Sequence, residues 1–233
     1  MTVSYVGASS AESTSVTLPS HQAGDLIVMW ALRYGSVLAP TIPSGWNYRY
    51  LSTRQGSLAT MTVALAAKTA ATNAETSGTW TNGTHLLAAV YRDDTDYLSL
   101  GCPMYQRGTG TALAYLAKTA ASIVNNGSGS LGTSMSVSTG WVLGLGLSHS
   151  NTAGIDTPPT GMTHRHMLTG ATQGRLALAD TNAAVSSFTA ANVSVSASID
   201  YLTNVVEIVD TGIPKSSGGG LFVAGGLGGG MRG

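Results

Sequence analysis

One stretch of this chain is written twice. Residues 24–54 contain G-D-L-I-V-M-W-A-L-R-Y and then A-P-T-I-P-S-G-W-N-Y-R-Y-L, and a related text follows 116 residues later. There G-W-V-L-G-L-G-L-S-H-S precedes I-D-T-P-P-T-G-M-T-H-R-H-M. At that single offset Gly24 falls on Gly140, Thr41 on Thr157, Pro43 on Pro159, Gly45 on Gly161 and Arg49 on Arg165. A two-residue slip then lays Gln55-Gly56-Ser57-Leu58-Ala59 on Gln173-Gly174-Arg175-Leu176-Ala177. Ordered identities at one spacing point to an internal duplication, so a fold must accommodate two similar units. The reading is a first copy over 1–105, a second over 106–210 and a distinct tail over 211–233. Both copies are expected to share one strand order, with Trp46 and Met162 equivalent.

Within the copies, period two dominates. Leu26–Leu32 is a near-continuous apolar run of strand length, as expected of a central strand covered on both faces. Pro40 and Pro43-Ser44-Gly45 then interrupt any ladder. Trp46, Tyr48 and Tyr50 alternate with polar residues, which predicts three aromatics on one strand face. Met61, Val63 and Leu65 repeat the alternation, and Val193, Val195, Ala197 and Ile199 give the cleanest half-buried strand. In the second copy Gly144 and Gly146 strip one face of side chains, implying close approach there, with the other copy as a candidate. About six short strands per copy, parted by turn signals, predict an all-β, duplicated β-sandwich or jelly-roll-like unit. The Ala-rich link 69–78 and the segment 112–124 leave room for short helices.

Charge narrows the function. Only 9% of the 233 residues are charged, and eleven Lys and Arg balance eleven Asp and Glu. A soluble domain usually carries about 25%. A neutral, charge-poor surface favours association, which suits a subunit packed among others. Nucleic acid needs a basic stripe, and the basic residues do not cluster. Cys102 is the single cysteine, so neither an intrachain disulfide nor a Cys-based zinc framework can form. The N-terminus lacks the pattern of a secretory signal, and no apolar run approaches the roughly 20 residues of a membrane span. The expectation is a soluble protein made in a cytoplasm.

The chemistry-bearing residues are few. His164 and His166 would share a strand face, but a closed metal site needs more ligands, and a structural role is expected. Asp93, Asp94 and Asp96 alternate only partly as calcium ligands would, without the glycine and the late glutamate; a solvated turn is expected. Gly108-Thr109-Gly110 lacks the remainder of a phosphate loop. No serine elbow or H-E-x-x-H zinc motif occurs. No cofactor, metal or catalytic residue is therefore nominated. Trp46, Tyr48 and Tyr50 are the candidate platform if the chain stacks a sugar, a host-surface glycan for example. A jelly-roll hydrolase would want paired carboxylates across a groove, and the acids are too scattered to nominate a pair.

The tail differs in kind. Nine of its last eighteen residues are glycine, with Leu221, Phe222, Val223 and Leu227 set among them. Ordering such a segment costs about 1–2 kcal/mol per residue, with glycine at the high end. A partner surface receiving these four apolar residues would offset that, so they are the expected assembly interface.

Taken in order, S-V-T-L-P, A-G-D-L-I-V, P-S-G-W, A-A-K-T-A-A and L-L-A-A-V-Y-R-D-D resemble a recurrent β-domain of tailed-phage and prophage structural proteins. These include head-decoration, fibre and tail-associated components. The likeness covers most of 13–94 and, more faintly, 131–210. It implies a non-enzymatic virion subunit binding copies of itself and other virion proteins, with neither nucleic acid nor membrane as partner. It carries over no functional residue. The alternative from another class is a carbohydrate-binding or adhesin module using the first-copy aromatics.

Overall fold

The computed structural model describes residues 2–101, 104–115, 140–148, 157–168, 174–186 and 191–215. Among these there are strands and no helix. The first half supplies β1 (Ser4–Ala11), β2 (Leu26–Tyr34), β3 (Asn47–Gln55), β4 (Thr60–Thr69) and β5 (His85–Arg92). The second supplies β6 (Asp96–Leu100), β7 (Met104–Tyr115), β8 (Trp141–Ser148), β9 (Thr163–Met167), β10 (Arg175–Asp180) and β11 (Ala191–Pro214). The link at 69–78 holds no helix, and 112–115 belong to β7.

Two antiparallel sheets result, in the orders β1-β5-β2-β4-β3 and β6-β11-β8-β10-β9. Counterparts taken in chain order occupy the same places, with β7 as the one addition, paired to β11 beyond β6. The sheets divide between Arg92 and Asp96, and β11 runs on to Pro214. Each sheet is one contiguous half of the chain, so the strands do not alternate between sheets as in a jelly roll.

The two sheets share one core. Val28, Trp30, Leu32, Val63, Leu65 and Ala89 pack against Leu143, Leu145, Leu147, Leu176, Leu178 and Val206. The continuous apolar text of β2 has its reason on the opposite face. There Ile27, Met29 and Ala31 lie under Val16, Trp46 and Trp80, which arrive from the loops. Gly144 and Gly146 belong to the face of sheet two that points away from sheet one: they pair with Ala179, Val205 and Ala177, whose side chains form a separate outer cluster. The expectation that the other copy approaches these glycines is thus corrected, since it packs on the leucine side.

Register also corrects the gap-free repeat. Trp30 pairs with Leu65 and Leu87, and Leu145 pairs with Leu178 and Asn204. Leu65 and Leu178 also stand at the register break of each neighbouring ladder, opposite Tyr50 and His166, so Trp30 corresponds to Leu145, a step of 115 rather than 116. A slip of one residue exchanges the faces of a strand, and the 116 step would have placed Trp30 on an outward glycine. After the turn the 116 step holds. Pro43-Ser44-Gly45-Trp46 and Pro159-Thr160-Gly161-Met162 each close with N–H of the fourth residue on C=O of the first, at 3.4 and 2.9 Å. Gly45 and Gly161 have φ of 84° and 85°, the glycine geometry of a type II turn. Trp46 and Met162 are both 8% exposed. The further match of Leu58-Ala59 to Leu176-Ala177 fails, because the ladders equate Val63 with Leu176.

Candidate functional site

Strands β3 and β9 carry a bulge at the same place. Tyr48 pairs with Ala66 and Tyr50 with Leu65, leaving Arg49 over; His164 pairs with Ala179 and His166 with Leu178, leaving Arg165 over. A bulge breaks the alternation, so the residues flanking it pair with neighbours on opposite faces. Sequence alternation alone could not reveal this. His164 is exposed while His166 is half-buried, with Nε2 2.9 Å from Ser10 Oγ on β1. The expectation that the two histidines share a face is overturned.

What the bulge positions is Arg165. Its guanidinium lies over the Tyr5 ring at 4.5 Å and near the Trp141 ring at 5.9 Å, between the sheets. Its Nε donates to Asp180 Oδ2 at 2.8 Å, and another guanidinium nitrogen donates to Asn182 Oδ1. Asp180 is fully buried and also accepts from Tyr91 O–H at 3.0 Å. Tyr91 in turn meets Tyr5 and Trp141 edge to face. Burial first, and the Asp180 charge second, push the Tyr91 phenol well above its usual range. Burial raises Tyr5 as well. Both phenols are therefore neutral at ordinary pH, and Tyr91 serves as a donor. Six residues from both halves of the chain thus form one hydrogen-bonded and stacked cluster.

Other buried acids act in the same way. Asp25 takes two bonds from Arg92, at 2.8 and 2.7 Å. Asp200 of β11 accepts the Leu58 and Ala59 N–H groups at 2.6 and 2.8 Å, tying sheet two to the β3–β4 turn of sheet one. Asp93 corrects the expectation of a solvated turn, for it is 0% exposed. Burial alone would raise its pKa, but bonds from Thr95, Thr2 and Asp96 outweigh that and hold it well below the carboxylate range. Asp94 is exposed.

A groove of about 950 Å³ runs beside β1, between residues 15–21 and 73–79. Its two ionisable side chains are engaged. His21 Nδ1 donates to Pro19 C=O at 2.7 Å, and Nε2 accepts the Glu75 N–H at 3.1 Å, which fixes the neutral tautomer. Glu75 pairs with Lys68 at 2.6 Å and accepts from the Ala71 N–H at 3.0 Å.

Trp46 is buried edge to face with Trp80, and Lys68 lies over its ring at 4.8 Å. It is thus withdrawn from the platform expected of Trp46, Tyr48 and Tyr50. Gly108-Thr109-Gly110 lies inside β7 rather than in a phosphate-binding turn. Among the described residues no three His, Cys, Asp or Glu side chains gather as metal ligands. Cys102 and the expected assembly residues Leu221, Phe222, Val223 and Leu227 lie outside the described residues. No protein-family model, curated protein or solved structure matches this chain.

Proposed function

We propose that the chain is a non-enzymatic structural subunit of a virion, of the tailed-phage kind its sequence resembles. It would act through contacts with copies of itself and with other particle proteins. One observation carries the reading: the fully buried acids Asp25, Asp93, Asp180 and Asp200 each brace segments far apart in sequence. Side chains that would serve catalysis elsewhere serve rigidity here, and the charge-poor composition favours packing beside neighbours. The test is quantitative mass spectrometry of purified, salt-washed particles, followed by locating the chain by electron microscopy. Many copies at symmetric positions are expected. A chain that is made in the cell but missing from washed particles would end the proposal.

We also infer that the two sheets descend from one duplicated unit. The common strand order, the shared turn and the shared bulge support this. Edge strand β1 meets β9, while β6, the counterpart of β1, meets β4, which lies beside the counterpart of β9. Crossed edges of this sort follow from an approximate two-fold axis between the sheets, the arrangement of a symmetric dimer joined into one chain.

A further inference from the structure

We propose that the groove beside β1 is the docking site for the chain's own C-terminal segment, 216–233. This inference does not depend on the virion role. It starts from where the segment begins. Lys215 is anchored: its N–H donates to Thr95 C=O at 2.7 Å, its Nζ donates to Asp93 C=O, and its aliphatic stem passes Gly24. A Cβ on Gly24 would lie 2.9 Å from Lys215 Cε, and a φ of +89° favours glycine at this position. Gly24 is three residues from His21, which lines the groove.

The reach is short. Residues 216–220 separate Lys215 from Leu221, and six steps of extended chain span about 20 Å. A linker of that length gives an effective concentration of about a millimolar, which favours the chain's own groove over that of a neighbour.

The chemistry matches as well. Ala11, Val16 and Leu18 line the groove and belong to the outer apolar cluster of sheet one, offering a floor for Leu221, Phe222 and Val223. Around them Ser15, Thr17, Ser20, Thr76 and Thr79 carry hydroxyls that no hydrogen bond among the described residues engages. Hydroxyls both donate and accept, as a backbone-rich, glycine-rich ligand demands. The segment carries no charge until Arg232, and the groove's own charges are already paired. The surface expected to receive the tail is then part of the same molecule.

The full chain tests this by cross-linking. In a Cys102→Ser background, Val223→Cys is combined with Thr17→Cys in the groove, or with Leu58→Cys at the β3–β4 turn. Thr17 and Leu58 are both exposed, so neither change disturbs the core. Under mild copper-phenanthroline oxidation at low micromolar protein, peptide mapping should find an intrachain disulfide in the Thr17 pair at least tenfold faster than in the Leu58 pair. Equal rates, no disulfide, or disulfides formed only between chains would overturn the proposal.

Discussion

Three donors converge on the Asp180 carboxylate: Arg165 Nε, Tyr91 O–H and the Asn182 N–H. Removing each has a different expected consequence. Tyr91→Phe deletes one bond to a charged acceptor that keeps its counter-ion, at about 1.5–3 kcal/mol. Arg165→Met keeps much of the bulk between Tyr5 and Trp141 but strands a buried charge, at about 3–5 kcal/mol. Urea unfolding of both variants should therefore rank Arg165→Met as the more damaging; the reverse order would mean that the ion pair is not what the bulge exists to place. Proton linkage supplies a second prediction. Asp93 titrates lower in the folded than in the unfolded chain, so its contribution is present above about pH 4 and is lost as pH falls below it. His166 is also lowered, by burial and then by His164, so stability should already start to fall below about pH 6.5. Denaturation midpoints measured from pH 7.5 to 3 should show both limbs. His166→Gln should flatten the upper limb, and Asp93→Asn the lower.

At the scale of elements, the shared turn yields matched expectations. A Cβ on Gly45 or Gly161 meets nothing within 4 Å, so alanine there carries only the strain of positive φ, on the order of 1–3 kcal/mol. Both substitutions should cost nearly the same amount in urea unfolding, as equivalent positions would. Gly56→Ala is a different case, because its Cβ would stand 2.1 Å from the Asp200 carboxylate and break the bond to the β3–β4 turn. It should cost clearly more than either, and a milder effect would show that the turn relaxes freely. These elements also mark how far the sequence could be read. The P-x-G turn and central strand β2 were legible because proline, glycine and a run of apolar residues each carry a local conformational meaning. The bulges at Arg49 and Arg165 were not, since one extra residue leaves the alternation of residue types unchanged while reversing the faces. The burial of Asp93 was equally hidden, because it depends on Thr2, which is remote in sequence. In the groove, no motif marks 15–21 and 73–79 as neighbours. They meet through Val16 N–H on Ser77 Oγ and Glu75 N–H on His21 Nε2.

For the whole molecule, the question is whether two similar sheets behave as two folding units. Their similarity suggests independence; their packing argues against it. Each sheet buries its inner face only on the other, with Trp30, Leu65 and Leu87 against Leu143, Leu145 and Leu178. A five-stranded sheet parted from its partner would expose that entire face, at roughly 1.5–3 kcal/mol for each large side chain uncovered. It would also break polar links across the interface. Tyr91 would lose Asp180, Asp200 would lose the β3–β4 turn, and Trp30 Nε1 would lose Asn204 Oδ1 at 3.4 Å. The outer apolar clusters lie on the far faces of the sheets and cannot replace these contacts, so opening one sheet should open the other. Native-state hydrogen exchange measures this directly. The slowest amides of β2 and of β8, the central strand of each sheet, should report the same opening free energy and the same denaturant dependence. Arg165→Met, placed at the interface, should lower both by equal amounts although the residue lies on sheet two alone. If β8 opened well below β2, or only β8 responded to the substitution, the sheets would be separate cooperative units.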